Sequence, residues 1–104
     1  MTPEKAVKLK IQAILKDLGA YYVMPIGTGY GNAGVPDFLV CLNGYFIGIE
    51  AKAGKGKTTA LQDKNLRQIE AAGGYALIVN EQNLPDLKAL LLEQMKSKWL
   101  PGSE

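Results

Sequence analysis

The sequence contains no histidine and a single cysteine, Cys41. Without imidazole there is no histidine base, nucleophile or metal ligand, so any metal would be held by oxygen, which points to Mg²⁺ or Mn²⁺ rather than zinc. Cys41 falls inside an apolar run and reads as a small core residue rather than a ligand or nucleophile. No run of 18 apolar residues occurs, and the N-terminus lacks the basic-then-apolar profile of a signal peptide. These absences predict a cytoplasmic protein with no membrane partner. A net charge of +2 is too small to argue nucleic-acid binding by itself. What remains is 104 residues at 47% hydrophobic and 21% charged, the composition of one soluble globular domain with one core.

The organising stretch is Gly34–Lys52, GVPDFLVCLNGYFIGIEAK. Two apolar runs, Phe38–Leu42 and Tyr45–Ile49, flank Asn43-Gly44, the strongest short-range hairpin signal, because a type I′ turn needs positive φ at both central residues. A two-residue turn also fixes the register: Leu42 faces Tyr45, and counting outward places Asp37 opposite Glu50 in a non-hydrogen-bonded pair, with Cα atoms about 4.5 Å apart. Lys52 follows on the same face as Glu50. Two facing carboxylates repel and lower sheet stability. A divalent cation removes the conflict, and Lys52 beside it would orient a water or stabilise charge on a phosphate. Any one of these residues alone reads as a solvated rim charge. Together, in a register set independently by the turn, they read as a metal site.

Before the hairpin, Thr2-Pro3 reads as N-cap and first turn of a helix ending near Gly19, with the stripe Val7, Ile11, Ile14, Leu15 and Leu18 turned inward. Projected back, that stripe lands on Glu4, either a first-turn glutamate favoured by the helix dipole or a third carboxylate near the metal. Lys5, Lys8 and Lys16 are expected on the solvated face. Tyr21–Met24 is a short strand ended by Pro25. Within the glycine-rich loop that follows, Gly29–Gly34 satisfies G-x-G-x-x-G, but a strand rather than a helix comes next, so the dinucleotide reading is rejected. The loop reads as one that lets backbone approach the site, with Tyr30 available to stack on a base or sugar. Both faces of the hairpin are apolar, which predicts helices packed on each side.

After the hairpin, Gly56-Lys57-Thr58 between strand and helix resembles the tail of a phosphate-binding P-loop, although the rest of a nucleotide-binding domain is missing. Thr59-Ala60-Leu61-Gln62 fits a capping box opening a second helix, whose stripe Gln62, Leu66, Ile69, Gly73 turns Gln62 toward the sheet. Gly73-Gly74 ends that helix. Tyr75–Val79 is a core strand reached by a crossover and paired in parallel. A last helix opens at Asn83-Leu84-Pro85, and its apolar positions, through Trp99, cover more than one stripe. That width predicts two partners, the sheet and a second subunit.

Pro36-Asp37, a twelve-residue gap and Glu50-Ala51-Lys52 resemble the PD-(D/E)XK nuclease signature. The fuller string, Gly34-Val35-Pro36-Asp37 through Glu50-Ala51-Lys52 to Gln62, resembles the small stand-alone VRR-NUC (virus-type replication-repair nuclease) domains over nearly the whole chain. The element order matches the αβββαβ core of that superfamily, an α/β restriction-endonuclease-like fold with a mixed sheet flanked by helices, here with an added C-terminal helix. The resemblance implies a metal-dependent DNA endonuclease in which Asp37, Glu50 and the Ala51 carbonyl hold Mg²⁺ or Mn²⁺, with Glu4 in the same shell or the next. Lys52 would orient the attacking water and stabilise charge on the transition state, and Gln62, beside the site, would assist by positioning water or phosphate. Lys55, Lys57 and Arg67 would contact backbone phosphates, with Tyr30, Lys5 and Lys8 also on the DNA side. It further implies branched DNA, such as a four-way junction, cut by a homodimer. A P-loop NTPase fragment and a non-catalytic DNA-binding module of the same fold are the competing readings.

Overall fold

A computed structural model describes residues 1–26 and 33–96; Tyr30, Trp99 and the expectations attached to them lie outside the described residues. The elements are α1 (Pro3–Asp17), β1 (Tyr21–Val23), β2 (Phe38–Leu42), β3 (Tyr45–Ala51), α2 (Ala60–Ala71), β4 (Tyr75–Val79) and α3 (Leu84–Gln94). They form an α/β fold on one four-stranded mixed sheet ordered β1-β2-β3-β4, antiparallel except for the β3–β4 pair. The parallel pair is the one joined by the α2 crossover, as two parallel neighbours require.

The hairpin sets everything else. Asn43 (φ 53°) and Gly44 (φ 86°) both take positive φ, and the ladder runs from Leu42–Tyr45 to Phe38–Ile49 in the register that the turn dictates. Alternation then sends Phe38, Val40, Leu42, Ile47, Ile49 and Ala51 to one face. There they meet Val7, Ile11 and Leu15 of α1 and Leu84, Leu87 and Leu91 of α3 in the main core. Each such large side chain taken fully from water contributes about 1.5–3 kcal/mol. Helix α1 starts where expected because the Thr2 hydroxyl accepts from the Lys5 backbone N–H with Pro3 in the first turn, a cap worth about 1 kcal/mol.

The opposite face is covered less than its apolar character predicts. Helix α2 buries only Leu66 and lies over Gly48, where an added Cβ would stand 2.5 Å from Ile69 Cδ1. Beyond its reach, toward the hairpin turn, Phe46 and Tyr21 stand exposed beside Cys41. Cys41 is therefore not the core residue that its apolar neighbours imply. Its neighbours are apolar, but a 12-residue helix does not extend to them.

Candidate active site

The site forms where the ladder stops. Backbone pairing ends at Phe38–Ile49, one step short of the expected Asp37–Glu50 pair, and the Asp37 side chain takes over: its Oδ2 accepts the Ala51 N–H at 2.9 Å. This brings the Asp37 carboxylate across to Glu50, whose titration it shifts. In an extended strand the N–H and carbonyl of one residue face the same side, so the Ala51 carbonyl is also turned toward Asp37. Lys52 N–H continues the other side of β3 by donating to the Val79 carbonyl at 2.9 Å.

Glu50 is 3% exposed, the one buried charged residue among those described. Burial, foremost, and then the hydrogen bond and negative charge of Asp37 push its carboxyl up to about 8, while the Lys52 ammonium pulls it down. The repulsion expected of the pair is thus relieved by a proton on Glu50 and by the Lys8 ammonium, 3.3 Å from Asp37 Oδ1. Gln62 makes two contacts with one amide: Oε1 accepts from Thr59 N–H to complete the capping box, and Nε2 donates to Glu50 Oε1 at 3.3 Å. Glu50 Oε2 is buried with no partner. An orphaned carboxylate oxygen beside a second carboxylate, in a donor set made wholly of oxygen, fits a hard divalent cation.

Two expectations change. Among the described residues no three His, Cys, Asp or Glu side chains come close enough together to hold a metal. Glu4 stays on its helix face, 3.8 Å from Lys8, so the close carboxylates are Asp37 and Glu50 alone. Lys8, expected on a solvated face, is instead half-buried against Asp37. The docking of α1 at the end of the sheet turns Lys8 inward, and periodicity along the helix does not specify where that end falls. Lys5, Lys55 and Lys57 are exposed, and Arg67 is exposed in a 2.7 Å ion pair with Glu70.

Two positioning contacts carried no signal in the sequence. The Glu81 carboxylate accepts the Gly54 N–H at 2.9 and 3.1 Å, fastening the loop after Lys52 to the turn before α3; its own backbone N–H and that of Gly54 hold its carboxyl below the usual range. The Asn65 amide donates to the Ala33 and Leu61 carbonyls, tying the segment before Pro36-Asp37 to the first turn of α2. The P-loop reading fails on geometry. Helix α2 begins at Ala60, after the Thr59 cap, so Gly56-Lys57-Thr58 does not form a helix N-terminus, and the Thr58 hydroxyl donates to Asp63.

No family model matches the sequence, and no curated protein does. Solved structures match the fold. A "VRR_NUC domain" structure superposes with TM-score 0.71 at 21% identity, covering 92% of this chain and all of that one. A "VRR_NUC domain protein" superposes with TM-score 0.69 at 15% identity, covering 100% of this chain and 98% of that one. The Holliday junction resolvase Hjc of Archaeoglobus fulgidus overlaps at TM-score 0.49 and 18% identity over 72% of this chain and 68% of its own, too loosely to bear on the reading. At these identities the match concerns architecture, and it extends over the full length of the VRR_NUC structures: the chain has the fold of a small VRR-NUC domain.

Proposed function

We propose that this chain is a single-domain nuclease of the VRR-NUC kind that hydrolyses DNA phosphodiester bonds with Mg²⁺ or Mn²⁺. The observation that carries the reading is the convergence of Asp37, the buried Glu50 with its unpartnered Oε2, and Lys52 at one end of the hairpin. Asp37, Glu50 and the Ala51 carbonyl would hold the ion, with Glu4 reaching it through water. When bound, the ion supplies Lewis-acid polarisation of the phosphate and activation of a water. Lys52 would orient that water and stabilise the charge growing on the phosphorane-like transition state. Gln62 holds Glu50 in place. Lys55, Lys57 and Arg67 would bind the phosphate backbone, as would Lys5 on α1. Branched DNA, such as a four-way junction, cut by a homodimer is the substrate and assembly this reading favours. Exposed Leu90 and Leu92 on α3 give a second subunit apolar surface to cover.

A cleavage assay with Mg²⁺ or Mn²⁺ on single-stranded, duplex, flap and four-way substrates tests the activity. Lys52→Ala is expected to keep metal and DNA binding while losing cleavage by about 10²-fold or more, because it removes stabilisation made in the transition state. Undiminished cleavage by that variant would remove Lys52 from the mechanism. Binding without cleavage by the wild type would favour a non-catalytic module.

A further inference from the structure

Asp37 has two carboxylate oxygens with different partners. Oδ2 is committed to the Ala51 backbone N–H. Oδ1 is the oxygen left for a cation, and the Lys8 ammonium stands 3.3 Å from it. The same ammonium lies 3.8 Å from Glu4 Oε2, so one lysine stands between Asp37 and Glu4. Its side chain is 28% exposed, well below the 73% of an ordinary surface lysine such as Lys96. Lys8 reaches the site from the α1 side of the sheet and Gln62 from the α2 side, so the carboxylates are neutralised from one face and held from the other.

We infer that Lys8 is an exchangeable counter-ion: it holds Asp37 Oδ1 until a divalent cation takes that oxygen, and its ammonium then moves to the DNA backbone. This rests on the nuclease reading above. Two cations cannot share one carboxylate oxygen at close range without mutual repulsion, and the divalent one wins by charge. Lysine suits exchange better than arginine would. Its ammonium is a point charge on a flexible four-carbon stem, whereas a guanidinium fork would clamp both oxygens and resist release. The consequence is coupling: metal uptake adds one phosphate contact, and bound DNA, by holding Lys8 away, favours the metal.

Three measurements test this. Calorimetry of Mn²⁺ binding to wild type and Lys8→Met should show the variant binding about fivefold or more tightly, the effect of removing one unit charge about 4 Å away even in water-like dielectric. Lys8 acetylation in the wild type, followed by mass spectrometry with exposed Lys5 as internal reference, should accelerate severalfold when Mn²⁺ is added. In a Lys52→Ala background that spares the substrate, Lys8→Met should weaken four-way-junction binding less in EDTA than in Mg²⁺. In Mg²⁺ the same change should weaken it and reduce the salt slope by about 0.9. If the wild type binds no Mn²⁺, the nuclease reading itself falls. If the wild type binds Mn²⁺ but Lys8→Met binds it no tighter, or Lys8 labels at one rate with and without Mn²⁺, the exchange is overturned and the nuclease reading stands. Should Lys8→Met fail to fold, the labelling rates in the wild type decide.

Discussion

A carboxyl group pushed up to about 8 makes Glu50 a pH sensor of the metal-free fold. Because the folded value lies above the ordinary 4.5, the folded protein keeps a proton that the unfolded chain has released. This stabilisation is complete below about 4.5 and is lost as pH rises through about 8, a swing on the order of a few kcal/mol. Melting curves in EDTA should therefore fall between pH 5 and 8.5, and Glu50→Gln should flatten them. Parallel curves for the two proteins would mean that Glu50 is ionised throughout. A divalent cation binds the ionised form, so apparent metal affinity should climb over the same window. That Asp37 comes beside Glu50 was legible in the sequence because a two-residue turn counts residues, but that a side chain rather than the ladder makes the approach was not. Lys8 was not, since its inward turn depends on where α1 docks, and Glu81 was not, since its partner is a backbone N–H 27 residues away.

Among the helices, α2 carries the most with the least burial. Its first turn supplies Gln62 to Glu50, and Gly34 passes directly over that turn: a Cβ there would meet the Leu61 carbonyl carbon at 2.5 Å, its oxygen at 2.6 Å and Gln62 N at 2.8 Å. Gly34 is also at φ +83°, so alanine would face both a left-handed backbone and a clash with backbone that cannot rotate away. Gly19 isolates the first effect, with φ +71° and nothing within 4 Å. Urea unfolding should show Gly19→Ala costing about 1 kcal/mol and Gly34→Ala at least twice that. Equal losses would mean that the close approach contributes nothing. Helical stripes, caps and hairpin register follow from local spacing, so every element here was readable. How far a helix covers a sheet face depends on its docked position, and the exposure of Cys41 and Phe46 was hidden for that reason.

At the scale of the whole molecule, the site occupies one end of the hairpin and the uncovered apolar surface the other. No helix among the described residues is long and apolar enough to cross a membrane. Light scattering at micromolar concentration is expected to give twice the 11.2 kDa chain mass. A monomer at every concentration would remove paired cutting by a dimer from the proposal. The exposed position of Cys41 has a practical consequence. It is the chain's one thiol, and it lies four residues along β2 from Asp37, about 13 Å of extended strand. A maleimide dye or nitroxide would therefore attach to the unaltered sequence at a single known point, clear of the carboxylates. Dipolar broadening between two such spin labels would then read the separation of paired subunits without any engineered cysteine.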